Sequence, residues 1–369
     1  MILELVFYAF IVIVSIQVVF YSTFLIGFTK SYNTNPKPKK IAISVLICAK
    51  NEAENLKLFL PSIISQAYPN FEIVLINDGS KDDTLTVMES FKEKFDHIKI
   101  VNVKPIETFW GNKKYALTLG IKAASHDFLL FTDGDCRPLS KYWISEMSAH
   151  FSNSKSIVLG YGSYKKIKGS FLNALIRFET FLTAIQYVSL AKLGNPYMAV
   201  GRNLAYRKEL FFEANGFMSH MNVKSGDDDL FINQAANTSN TAICISKESF
   251  TESNPKTTFK DWVAQKRRHI STAKYYKTKD KYTLGIFYIS QFLFWLLAIV
   301  LLSTVFKWKI VVALVVLRFV IQLITFFIAS KKLDEKDLPF LSPIIEIVLI
   351  AFQFFIFIKN TISKPQYWK

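Results

Sequence analysis

Cysteine is scarce in this chain. Its 369 residues contain only Cys48, Cys136 and Cys244, far apart and odd in number. They match neither a zinc-ligand spacing nor a disulfide framework, which fits a reducing compartment. The middle of the chain also lacks any basic run interleaved with aromatics. The formal charge of +16 therefore points away from nucleic acid and toward anionic lipid or phosphorylated substrates. A basic leader is missing too, since Glu4 is the only early charge. The first apolar stretch thus reads as an uncleaved anchor rather than a signal peptide.

What is abundant is hydrophobic residue, 51% of the chain with 34 Phe. The excess sits in the first thirty residues and the last ninety. Residues 5–29 and 282–306 are uncharged, and 310–330 and 338–358 are each broken by one charge. Each meets the length of about 20 apolar residues that a span requires. Lys30, Lys37, Lys39 and Lys40 follow the first span, and a basic cluster from Lys266 to Lys281 precedes the second. By the positive-inside rule, the domain between them is cytoplasmic and the protein is a multi-pass protein of the cell membrane. Counting spans places Lys359, Lys364 and Lys369 on the outer side, against the same rule. Arg318 and Glu346 interrupt the third and fourth spans. At about 1.5 Å per residue their depths differ by roughly 6 Å, so an ion pair between neighbouring helices is expected.

From Ile41 the pattern changes. Residues 41–48, 71–77, 98–103 and 127–133 read as strands, three of them nearly all apolar, as in a sheet covered on both faces. Helical spacing fills 52–66, 82–95 and 112–124. Strand alternating with helix predicts an α/β fold with a doubly wound, mostly parallel sheet, whose ligands bind at the carboxyl ends of the strands. The organisation expected is an anchor at 1–30 and a catalytic domain at 41–280, followed by membrane helices within 282–358. In that domain 41–136 forms a nucleotide-binding half and 137–280 an acceptor half.

The polar clusters fall at the ligand edge. Asp133 and Asp135 flank one glycine directly after a strand. Two carboxylates so spaced can grip Mg²⁺ or Mn²⁺, although D-G-D is also a common turn. Asp78, at the tip of the second strand, can read a base or ribose hydroxyl, although N-D-G-S is an ordinary turn as well. Lys113 and Lys114 open a helix, where the dipole disfavours cations unless an anion is present. Asp227, Asp228 and Asp229 crowd three carboxylates before an apolar helix. Crowding raises at least one pKa, which suits a general base, and the group can also cap the helix. Residues 261–277 are basic and aromatic, fitting attachment at the lipid surface or closure of Gln265 and Arg268 over a diphosphate.

Taken in order, these motifs resemble family-two glycosyltransferases of the GT-A fold, over nearly the whole chain. The opening strand with its N-E pair, ISVLICAKNE, implies nucleotide contacts at Ala49, Asn51 and Glu52, and NDGS a base contact at Asp78. Lys113 matches the lysine of G-K-x-x-A-L, with Asn112 in place of the glycine, and TDGD matches the D-x-D metal motif. GRNLAYRK resembles a G-x-N-x-A-x-R segment that lines the acceptor side and contains Asn203. GDDD resembles the E-D motif, implying Asp228 as catalytic base and Asp227 as its companion. QKRRH resembles Q-x-x-R-W, mapping to Gln265 and Arg268, with His269 where that motif has tryptophan.

The resemblance implies an inverting transfer from a UDP- or GDP-sugar to a lipid or lipid-linked acceptor in the cell envelope. His269 speaks against processive polymer synthesis, the main alternative. A GT-A-like nucleotidyltransferase is the other. The apolar segment 170–198 reads either as a helix resting at the membrane interface or as an ordinary core helix.

Overall fold

A computed structural model describes residues 1–30, 39–104 and 113–363. Lys37, Asn112, Lys364 and Lys369, singled out above, lie outside the described residues. The chain enters through helix α1 (Ile2–Thr29) and alternates β1 (Ile43–Ala49), α2 (Ala53–Ile64), β2 (Phe71–Asp78), α3 (Thr84–Lys92), β3 (Ile98–Val103), α4 (Lys113–Ala123) and β4 (Phe128–Asp133). The second half of the domain adds β5 (Cys136–Pro138), α5 (Trp143–Ala149), β6 (Ile157–Leu159), β7 (Gly162–Tyr164) and α6 (Phe171–Lys192). It continues with β8 (Leu204–Arg207), α7 (Lys208–Glu213), α8 (Asp229–Ala235), β9 (Thr241–Ile243), β10 (Thr251–Ser253) and α9 (Phe259–Ile270). Three long apolar helices follow: α10 (Thr278–Ser303), α11 (Trp308–Leu333) and α12 (Leu338–Ile362).

All seven residues of β1 are buried, as expected of a strand covered on both faces. It pairs in parallel with β2 and β4, so Ala49 lies beside Asn77 and Cys48 beside both Ile76 and Asp133. The main sheet runs β3-β2-β1-β4-β8-β6-β9, and β5-β10-β7 form a second, smaller one. β8 is antiparallel to β4, with Leu204 opposite Phe131. That reversal carries the residues before β8, Gly201 to Asn203, to the edge where Asp133 emerges. The four-residue strand lies within the segment read above only as an acceptor-side motif.

Helices α1, α10, α11 and α12 are each long and apolar enough to cross a membrane. Their interior is polar at one level. Arg318 pairs with Glu346 at 2.5 Å and also donates to Gln322 and Gln17. Tyr21 and Gln291 both donate to Glu346 as well. Arg318 and Glu346 are 0% and 1% exposed, so the pair faces protein, not lipid. Polar groups in hydrocarbon are tolerated when satisfied within the bundle in this way.

Helix α6 is a core helix. Of its 22 residues, 17 are buried, which leaves no free face for a lipid surface. It is wedged between the sheet domain and the apolar helices. Ser189 donates to the carbonyl of Phe24, and a Cβ on Gly27 would lie 2.6 Å from Ser189. The glycine thus permits α1 to rest directly on α6. Arg177 of α6 binds Glu335 and Asp337 in the turn before α12, while Lys166 adds a contact to Asp337 at 2.9 Å.

Removing one member of the intramembrane pair strands the other in a buried site, at a cost of about 3–5 kcal/mol. Arg318→Met should therefore lower the thermal midpoint of the detergent-solubilised protein by several degrees. Arg318→Met with Glu346→Leu should recover most of that loss in the same melt.

Candidate active site

The site is built where β1, β2 and β4 end together. Gly134, between the two aspartates of D-G-D, packs so close to β1 that its Cβ would meet that of Ala49 at 3.2 Å and Glu52 at 3.5 Å. The expected nucleotide and metal motifs are therefore in contact. Asp78 is buried at the tip of β2, and its Oδ2 has no hydrogen-bond partner among the described residues. Lys50 approaches it to 3.9 Å. Burial raises the Asp78 pKa against the pull of Lys50. A buried carboxylate oxygen left open at a strand tip is suited to accept from a ligand.

Asn51 and Glu52 are committed locally. Asn51 takes a left-handed φ of 56° and its side chain accepts from the Lys81 amide, which pins the two loops together. Glu52 accepts from Asn55, and its amide is held by Thr84. Ala49 is buried and offers backbone only. In the β2 loop Asp82 bonds Thr84 and the Ala53 amide, so it joins the start of α2 to that of α3.

Lys113 opens α4 and joins the two halves. Its ammonium lies 2.7 Å from Asp133 Oδ1 and 2.9 Å from Asp227 Oδ2. Burial alone would lower its pKa, but the two carboxylates outweigh this and hold it well above the lysine range. Asp227 is lowered in turn, burial being overcome by Lys113. Lys114 turns the other way and donates to the carbonyls of His220 and Val223, propping the loop ahead of the acids.

Asp228 faces a small cavity lined also by Lys113, Asp133, Gly201, Tyr206 and Asp227. It accepts from the Gly201 amide at 2.6 Å and caps α8 through the Asp229 amide at 2.7 Å. Burial, followed by the charges of Asp227 and Asp229, pushes its carboxyl up to about 7. The third acid was not assigned a site role by the sequence. Asp229 accepts from Thr272 and from Tyr276 at 2.7 Å, fastening the acid cluster to the segment that leads into α10. Gly226, at φ 98°, starts this turn, and a Cβ there would strike Leu230 at 2.5 Å. Glycine is required on both counts.

Asp133, Asp135 and Cys136 bring their ligand atoms within 4.8 Å of one another. Burial, then the neighbouring charge of Asp133, raises the Asp135 pKa. Cys136 is held as a neutral thiol by burial and lies 2.9 Å from Ser253, so it is a poor ligand for a hard ion. The two carboxylates fit Mg²⁺ or Mn²⁺, with its other positions left to phosphate oxygens and water. Arg202 went unnoticed in the sequence. It stacks on Tyr164 at 4.2 Å and donates to Ser163 and Ser253, and its charge is felt by Asp135. No sequence signal indicated it, because Arg202 lies in the turn before β8 and its partners Tyr164 and Ser253 are distant in the chain.

Asn203 is a correction to the expected binding set. It is fully buried, donating to the carbonyls of Tyr161 and Ser249 and accepting from Trp143. Its amide supports the site from beneath. On α9, Arg268 is half-buried; burial lowers its pKa against the pull of Asp227, Asp133 and Asp228. Gln265 Oε1 is buried with no partner among the described residues, and His269 is exposed at the end of the helix.

Comparison with known proteins decides the affiliation. The sequence model described as glycosyl transferase family 2 matches residues 44–213, and that described as glycosyl transferase family group 2 matches residues 133–357. The chain belongs to glycosyl transferase family 2. It is 27% identical over 187 residues to glycosyltransferase AglE of Haloferax volcanii, spanning 50% of this chain and 58% of that protein. Over 93 residues it is 40% identical to a poly-beta-1,6-N-acetyl-D-glucosamine synthase of Staphylococcus epidermidis, spanning 25% of this chain and 21% of the synthase. The chain thus covers less than two thirds of the length of either relative. The structure of a mannosyltransferase from Pyrobaculum calidifontis in complex with GDP-Man and Mn²⁺ superposes with a TM-score of 0.61 at 15% identity. That match covers 90% of this chain and 98% of the other, and it shows the shared GT-A fold.

A family-2 chain with this acid pair should take up manganese there. In the presence of a nucleoside diphosphate, electron paramagnetic resonance should show about one bound Mn²⁺. Asp135→Asn, which leaves the Lys113–Asp133 pair intact, should lose it while melting close to the native protein.

Proposed function

We propose that the protein is an inverting glycosyltransferase that moves one sugar from a nucleotide-diphosphate sugar to a lipid or lipid-linked acceptor. The observation that carries this reading is the Asp228 carboxylate. It faces the cavity with a pKa of about 7, beside the chain Asp227–Lys113–Asp133. A base poised near the working pH is what general-base chemistry favours.

In this reading the nucleotide lies along the ends of β1 and β2, with Asp78 accepting from the base or ribose. Asp228 removes the proton of an acceptor hydroxyl, whose oxygen bonds to the anomeric carbon. The bond from that carbon to the diphosphate oxygen breaks on the opposite face, and the nucleoside diphosphate leaves with the electron pair. Lys113 and Arg268 offset the charge that develops there. Asp133 and Asp135 would hold a divalent cation, which when bound would supply further neutralisation of the diphosphate. Mg²⁺ and Mn²⁺ both suit the two oxygen ligands.

The proximity of the site to the apolar helices favours a membrane-borne acceptor. Asp229, next to the base, is bonded to Tyr276, only two residues before α10 begins. Basic residues on both sides of the domain support a cytoplasmic orientation at the cell membrane. His269 in place of tryptophan favours single transfer over polymer synthesis.

Asp228→Asn should bind the donor with native affinity in calorimetry yet lose transfer by about 10²–10⁴-fold. Retained turnover would refute the assignment. Because Asp228 acts as the carboxylate, kcat/KM of the native enzyme should rise through pH 7 and level off above it. Below that pH it should fall about tenfold per unit.

A further inference from the structure

We infer that α12 does not cross the bilayer: it lies within the leaflet on the side of the catalytic domain and returns Ser363, just past its last turn, to that side. Composition treats α12 as a fourth span, since it is as long and apolar as the other three long helices. Its two ends contradict that reading.

The first end is tied to the domain. The turn before α12 holds Glu335 and Asp337, both bound by Arg177 of α6, and Asp334 is bound by Lys247 at 2.8 Å. The last turn is tied to the domain as well. Arg267 of α9 donates to Asn360 at 2.8 Å and to Ser363 Oγ at 2.9 Å, and the Asn360 amide donates back to the Arg267 carbonyl at 3.1 Å. Between them Trp262 of α9 stacks on Phe352, with ring centres 4.0 Å apart and planes within 7°. Helix α9 precedes α10, and the segment joining them is bonded to the acid cluster. It therefore lies on the domain side. A 25-residue helix is about 37 Å long, enough to reach the far surface, yet both of its ends meet the same domain.

The path along α10 agrees. Glu346 of α12 meets Gln291, while Phe354 stacks on Phe292 at 5.6 Å. Eight residues of α12, about 12 Å, pass while α10 advances by one residue, about 1.5 Å. Helices lying side by side across a bilayer would advance together. These two cross steeply.

An in-plane helix ordinarily needs a polar face toward water. Here α6 and α9 cover that side of α12, so it carries few polar groups. Glu346 and Asn360 both point into protein. Phe340, Ile344, Ile347, Phe354 and Phe357 are exposed on the outer side, and their partner is the acyl chains of the leaflet. This path also answers the conflict raised by the basic tail, because Lys359 then sits on the domain side with the other lysines.

Single cysteines at Ser363, Val305 and Lys141, all exposed, test the path, since the native cysteines are buried. A membrane-impermeant maleimide is applied to intact cells and to inverted vesicles carrying Ser363→Cys, Val305→Cys or Lys141→Cys. Ser363→Cys should label in the same preparation as Lys141→Cys, with about tenfold preference, and Val305→Cys in the other. Labelling of Ser363→Cys together with Val305→Cys would overturn the inference. An epitope tag appended after Lys369 gives an independent readout on the native chain. Protease should remove it in the preparation where the domain is digested, and digestion only in the other would equally overturn it.

Discussion

The ammonium of Lys113 lies between two carboxylates that could not otherwise sit so close. Asp133 ends β4 in the first half of the domain, and Asp227 begins the acid cluster of the second half. Without a cation between them, both acids would be driven toward protonation. With it, Asp227 stays ionised and its charge falls on Asp228, adding to the effect of burial that raises this one carboxyl toward neutrality. A single lysine at the start of α4 thus aligns the halves and keeps Asp227 ionised, while its own charge partly offsets the rise that burial imposes on Asp228.

A second set of contacts fixes this centre against the membrane. Asp229 binds Thr272 and Tyr276, Asp280 binds Asn195 and Asn233, and Arg177 binds the turn before α12. The acids, the sheet edge and the apolar helices consequently form one packed unit. Along the chain only Lys277 separates Tyr276, which is bonded to Asp229, from the start of α10.

Much of this was legible in the sequence because the physics is local. β1 to β4 are apolar runs between helical stretches, and the observed strands begin and end within two residues of the expected ones. The polar clusters had to fall at their carboxyl ends, and the two acids of D-G-D and the three at Asp227–Asp229 stood out by charge density. What stayed hidden was set by partners distant in the chain. β8 has four residues and no periodicity of its own, so its reversal, which delivers Gly201 to Asp228, could not be read. Asn203 looked like a ligand residue because a polar side chain in a motif does not reveal that it faces inward. α6 is apolar enough for a lipid surface but is buried under α1. Hydropathy likewise counts the residues of α12 without seeing that Arg267 holds its far end.

In the proposed reaction the diphosphate leaves and the sugar stays with the acceptor. Phosphorus NMR of the purified protein turning over a nucleotide sugar with Mn²⁺ and membrane lipid extract distinguishes this from nucleotidyl transfer. Nucleoside diphosphate should form in step with a glycosylated lipid seen by mass spectrometry. Inorganic pyrophosphate, with the nucleotide transferred instead, would contradict it.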